Sequence, residues 1–218
     1  MNAPFRNRRE AGQLLAGALA AYADRADVVV LALPRGGVPV AAAVAATLRA
    51  PLDVLLVRKL GAPGHPELAV GAIAAGGVRV LSDEMMLDLD VSPAMLERIT
   101  ARERVELQRR DTLYRGDRAP LDLVDKIAIV IDDGLATGAT MEAAVMALRA
   151  HRVARIVVAA PVGARDSCRR LQRVADEVVC LETPEPFRAV GCWYEDFDQT
   201  SDAEVIGLLT ASAPEASR

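Results

Sequence analysis

The run from Ile127 to Thr140, I-A-I-V-I-D-D-G-L-A-T-G-A-T, limits the fold more than any other stretch of the chain. Five apolar residues, four of them β-branched, form a strand buried on both faces. Two acids follow, then a loop of small residues with two threonines, then a helix from about Gly138 to Ala150. A buried strand that turns directly into a helix is half of a βαβ unit, so its neighbour in the sheet is parallel. The plan recurs. Val28 to Leu33, Asp53 to Val57, Arg155 to Ala160 and Glu177 to Leu181 are short apolar runs. Val38 to Leu48 and Gly163 to Val174 read as helices between them. The expected fold is α/β, a mainly parallel five-stranded sheet flanked by helices. Its unusual loops follow Leu33, Val57, Ile131 and Ala160. All lie at carboxyl ends of strands, where such sheets bind ligands.

The remaining segments are placed by their spacing. Phe5 to Arg25 reads as a surface helix, with Leu14, Leu15, Ala18 and Tyr22 at helical intervals. The second strand ends at Arg58 and Lys59. Gly61 to His65 is loop chemistry, and Leu68 to Leu81 reads as a hairpin around Gly76-Gly77. Ser92-Pro93 opens a charged helix to about Arg110, whose arginines and glutamates form a solvated face. Ser201 and Glu204 make a capping box for a last helix through Leu209, and Ala211 to Arg218 read as frayed. Residues 1–218 are expected to form one domain.

Composition removes several function classes. A net charge of -4 argues against general nucleic-acid binding, which needs a basic face. The richest apolar stretch, Val28 to Leu48, is broken by Pro34, Arg35 and two glycines, so no membrane span is expected. Cys168, Cys180 and Cys192 are too few and too scattered for a disulfide framework or a zinc site. They read as small core or partly buried residues of a cytoplasmic protein without a signal peptide.

Each part of the central run has a chemical use. The amides of Ala136, Thr137, Gly138, Ala139 and Thr140 stand at a helix N-terminus, a concave donor set for a phosphate. Thr137 and Thr140 add hydroxyls, and Gly138 lets the backbone approach the ligand. Carboxylates beside a phosphate nest ask for a polar or cationic group between them, which a ribose supplies. The run closely resembles the 5-phosphoribosyl-1-pyrophosphate (PRPP) motif of type I phosphoribosyltransferases. The resemblance spans about Val28 to Leu181. It implies that Asp132 and Asp133 hold the ribose diol and that Ala136 to Thr140 hold the 5-phosphate. Leu33-Pro34-Arg35-Gly36-Gly37 is similar to the family's pyrophosphate loop, with Arg58 and Lys59 as further cations at the same sheet end. Mg²⁺ is expected to arrive with PRPP, with no direct protein ligand assigned. The core is then about 28–181, a β-hairpin lid lies within 61–125, and a small hood covers about 182–210. His65 and Glu67 lie on the lid, either as acid–base groups toward the acceptor or as lid structure.

The acceptor is less constrained. In 6-oxopurine members position 136 commonly holds an aspartate; here Ala136 is closer to the adenine-type motif. Four of the seven aromatic residues, Phe187, Trp193, Tyr194 and Phe197, fall between Glu182 and Gln199. They form either a stacking platform for a planar base or a cluster tying the tail to the core. The tail resembles a branch of predicted phosphoribosyltransferases with no assigned acceptor. Two functions follow from the site: an enzyme of nucleotide salvage that moves phosphoribosyl from PRPP to a nitrogen acceptor, or a PRPP-binding sensor that does no chemistry. The retained Arg35 and Lys59 favour the enzyme. A metal-dependent hydrolase would need a water-activating base near Asp132, and none is evident. The resemblance also implies a homodimer.

Overall fold

The computed structural model describes residues 5–62, 65–89, 91–116 and 118–212. The side chain of Glu67, residues 63–64 of the expected lid loop and the end beyond 212 lie outside the described residues.

Strands β1 (Val28–Ala32), β2 (Leu52–Val54), β6 (Ile127–Ile131), β7 (Arg155–Val162) and β8 (Glu177–Glu182) form one sheet in the order β2-β1-β6-β7-β8. Every pairing in it is parallel. The central strand β6 is buried at all five positions, as its uninterrupted apolar sequence requires. Its side chains alternate between two cores. Ile127, Ile129 and Ile131 join Val28, Val30 and Ala32 against helices α1 (Arg8–Ala18), α2 (Gly37–Leu48) and α7 (Asp202–Ala211). Ala128 and Val130 join Val29 and Leu31 against α5 (Ala139–Ala150) and α6 (Arg165–Leu171). Period two in the strands and period 3.6 in the helices thus produce three layers.

A second sheet, β3 (Val57–Ala62), β4 (His65–Ala74) and β5 (Arg79–Leu81), is antiparallel in the order β3-β4-β5. The long helix α4 (Pro93–Arg115) lies against it, after the short helix α3 (Asp83–Asp88). Ser92 caps α4 with Pro93 in its first turn.

Four expectations need correction. The first helix covers only Arg8–Ala18, capped by Asn7, with a short 3-10 turn at Ala20–Tyr22. Its buried residues are Ala11, Gly12, Leu15 and Ala16, followed by the buried Leu19 and Tyr22 beyond its end, so Leu14 and Ala18 face outward and the helix packs on α2 rather than lying free. The second core strand stops at Val54, and Val57, Arg58 and Lys59 already belong to β3. Leu55 and Leu56 are buried at the corner between the sheets, which hides the break from a reading of apolar runs. The helix expected to end near Arg110 continues to Arg115, and its charged face is only partly solvated. Glu103 is buried, and Arg115 reaches the buried Asp53 at 3.1 Å. Finally, Cys168 is buried and Cys180 half-buried, but Cys192 is exposed.

Candidate phosphoribosyl site

At the carboxyl end of β6 the chain delivers Asp132 and Asp133 side by side, and the Asp133 amide donates to Asp132 Oδ1 at 2.9 Å. The turn after β1 is packed onto them. A methyl group at Gly36 would overlap the Asp133 carboxylate, and one at Gly37 would lie 2.6 Å from the Ile131 carbonyl oxygen. Glycine at both positions is what allows the two strand ends to touch. The Pro34–Arg35 peptide in this turn is cis. Burial, and then the neighbouring Asp133 charge, push the Asp132 carboxyl well above the usual range.

The loop from Gly134 to Gly138 is pinned from below. Leu135 is buried, its amide donates to the Val162 carbonyl at 2.9 Å, and its carbonyl accepts from Ala164 at 2.8 Å. Ser167 Oγ on α6 donates to the Ala136 carbonyl at 2.6 Å, and the Arg170 guanidinium donates to the Thr137 carbonyl. In a planar trans peptide the N–H opposes the C=O. The amides of Thr137 and Gly138 therefore point away from α6. Gly138 has φ 71°, the left-handed region, at the N-cap of α5. The result is a set of outward-facing amide donors beside two acids at a helix N-terminus.

A cleft of about 750 Å³ opens next to this loop. Pro34 and Thr140 mark its near end, Leu55 and Ile99 are among its apolar walls, and Arg58, Lys59, Arg98, Arg102 and Arg110 bring positive charge. Among the described residues Glu103 is the only acid in the lining, in a chain whose net charge is -4.

Comparison with known proteins identifies the family. Residues 7–196 match the family described as phosphoribosyl transferase domain. The chain belongs to this family. A Mycobacterium tuberculosis protein named "Putative phosphoribosyl transferase" is 50% identical over 205 residues, which is 94% of this chain and 46% of that protein. The chain thus spans about half the length of the curated relative. The crystal structure of TT1426 from Thermus thermophilus is 45% identical with a TM-score of 0.90, covering 96% of this chain and 99% of that one. AQ2163 from Aquifex aeolicus shares the fold alone, at 12% identity and a TM-score of 0.50 over 84% of this chain and 78% of its own.

On this phosphoribosyl transferase domain the expected residues fall into two groups. Asp132, Asp133, Gly36, Gly37 and Ala136 to Thr140 come together at the ends of β1 and β6. The expected cations are more dispersed. Arg35 pairs at 3.7 Å with Asp202, the first residue of α7, which also accepts from Tyr114 at 2.5 Å. Arg58 pairs at 2.7 Å with the buried Glu103. Lys59 lines the cleft beside it. His65 opens β4 and is exposed.

The tail aromatics pack largely on one another. Phe5 bridges Tyr194 in parallel, and their rings lie 5.5 Å apart. Tyr194 stacks on Phe197 at 5.0 Å and donates its hydroxyl to the Asp133 carbonyl at 2.6 Å. Burial raises the Tyr194 phenol far above its ordinary value, followed in effect by the Asp133 charge. Phe187 and Trp193 border the same cluster and stay half-exposed.

Sequence reasoning missed Arg8, which reaches Asp133 from α1, and Ser167 and Arg170, which fasten the loop from Gly134 to Gly138. It also missed the cleft-lining Arg98, Arg102 and Arg110, read only as surface charge. Nothing local distinguishes these residues from ordinary solvated ones.

Proposed function

We propose that the chain transfers the phosphoribosyl group of PRPP to a nitrogen acceptor, with release of pyrophosphate. The observation that carries the reading is the acid pair at the end of the central strand, with the Gly36-Gly37 turn packed on one side and the amide-lined loop on the other. The 5-phosphate sits on residues 136–140, at the helix N-terminus. Asp132 and Asp133 accept the ribose hydroxyls and stabilise the cationic ribosyl centre as the C1–O bond breaks. The pyrophosphate leaves toward the cationic cleft, where Lys59 and the α4 arginines add to the amides of the Arg35-Gly36-Gly37 turn. Arg35, Arg58, Arg102 and Arg110 join by exchanging their present carboxylate partners.

Mg²⁺ fits as an ion carried by the substrate, where it supplies charge neutralisation for the pyrophosphate. The Asp132 and Asp133 carboxylates, side by side at one strand end, put negative charge beside the proposed ribose position, which suits a cation held by the substrate's own oxygens. The acceptor is a small molecule met on the hood side, opposite the leaving group. Tyr194 and Phe197 are occupied by packing, so stacking falls to the half-exposed faces of Phe187 and Trp193. A nucleobase, and with it a place in nucleotide salvage, is the acceptor class this supports. Residues 1–218 act as one unit in this reading, as a cytoplasmic homodimer. Among the described residues no helix is long and apolar enough to cross a membrane.

The test is a calorimetric titration with PRPP and Mg²⁺, repeated with a panel of nucleobases while pyrophosphate is assayed. Saturable magnesium-dependent binding with base-dependent pyrophosphate release is the expected result. Binding without turnover on any base points to a sensor, in which Arg35 and Arg58 keep their present carboxylate partners. No binding overturns the assignment.

A further inference from the structure

Two carboxylates at one strand end repel each other, and the fold answers with a cation from far away in sequence. Arg8 stands in the first turn of α1. Its Nε donates to Asp133 Oδ2 at 2.7 Å, and its Nη1 donates to the Asp198 carbonyl at 2.7 Å. The guanidinium carbon lies 3.9 Å from the centroid of the Phe197 ring. The Arg8 side chain is 12% exposed and that of Asp133 is 14% exposed. This is a shielded, three-point seat, unlike the surface pairs elsewhere on the chain.

We infer that Arg8 is a positioning residue of the phosphoribosyl site, acting through Asp133 to fix the carboxylate's direction and to balance the charge of the acid pair. The inference rests on the function proposed above. Three facts carry it. The contact joins α1 to the end of β6 across 125 residues, so it is a tertiary device and not a local helix pair. The planar fork is used at two nitrogens and one face, so its orientation is set independently of Asp133. The Asp133 carboxylate is therefore aimed by Arg8 on one side, while the Gly36 backbone presses against it on another. The Arg8 charge also opposes the forces that raise the Asp132 carboxyl, namely burial and Asp133. The charged or titratable groups facing the pair are Arg8 from α1 and the Tyr194 phenol from the tail, whose hydroxyl is engaged with the Asp133 carbonyl. Without Arg8, Asp132 retains its proton to higher pH, and the less firmly aimed Asp133 carboxylate accepts ribose hydroxyls less well.

The experiment compares wild type, Arg8→Gln and Arg8→Lys as purified full chains, with PRPP and Mg²⁺ affinity measured across pH and Tm measured in parallel. Arg8→Gln keeps a donor and removes the charge. It is expected to weaken PRPP by about 10-fold at neutral pH and to move the acid limb of the affinity profile to higher pH. Arg8→Lys is expected to keep the wild-type profile with an intermediate affinity. A folded Arg8→Gln variant with wild-type affinity and profile overturns the inference. So does a loss of Tm in both variants with no movement of the acid limb, which would make Arg8 a fastener only. If Arg8→Gln does not fold, Arg8→Lys decides: weakened affinity at wild-type Tm supports the role, and unchanged affinity overturns it. Failure of the wild type itself to bind PRPP overturns the functional reading and this role together, and is distinct because it precedes any substitution.

Discussion

The proposed phosphate cradle and the proposed tail hood both touch Asp133, yet they are built on opposite plans. The cradle is local: strand, acid pair, loop and helix follow one another from Ile127 to Ala150. Its turn residues sit where backbone geometry and close packing demand them. The hood is assembled from two segments far apart in sequence, Phe5 to Arg8 against Trp193 to Asp198. Its contacts are aromatic packing, one parallel bridge and the Arg8 seat. A local site is dictated by short-range chemistry, whereas a non-local one depends on the sheet that brings its parts together.

Breaking the cradle is expected to have the larger effect. Asp133→Asn removes the charge from one of the two proposed ribose acceptors. The rate of pyrophosphate release should fall by about 100-fold or more, with weaker PRPP binding and a preserved circular dichroism spectrum. Undiminished affinity would count against the ribose assignment. Gly36→Ala inserts a methyl group into the Asp133 carboxylate. It should cost about 1–3 kcal/mol in denaturant unfolding and shift Asp133 out of place, so affinity falls with stability.

The hood should respond differently. Trp193→Ala should raise the KM for the acceptor by about 10-fold, since stacking contributes about 1–3 kcal/mol per base, while the PRPP dissociation constant stays near wild type. Equal losses in both would assign Trp193 to packing. The smallest effect is expected from Tyr194→Phe, which removes the 2.6 Å hydrogen bond to the Asp133 carbonyl. A loss of about 1 kcal/mol in unfolding free energy, with little change in turnover, would place that hydroxyl in the scaffold. A large loss of turnover would join hood and cradle into one catalytic unit.

These differences also explain what could be read from the sequence. The five parallel strands, the acid pair and the small-residue loop leading into a helix were legible because periodicity and turn chemistry act over a few residues. The boundary between β2 and β3 was not, because Leu55 and Leu56 stay buried while the chain changes sheets. Phe5 and Arg8 looked like the start of an ordinary surface helix, and only the tertiary fold turns them toward Tyr194 and Asp133. The same holds for Glu103, a charged residue on a charged helix that Arg58 makes into a buried partner.

The register of the central sheet has a consequence for how binding competence arises. Val28 lies opposite Ile127, and Ile127 opposite Arg155. The turn at Gly36 and the acids at Asp132 and Asp133 hang from strands that pair only after a long intervening segment has been spanned. Closing that loop is the slow, entropically costly part of forming a parallel sheet. A partly folded chain therefore holds half-sites that cannot grip the ligand. On the proposed function, PRPP added during refolding should leave the early phases unchanged and slow only unfolding, because its proposed site exists only once the sheet is complete.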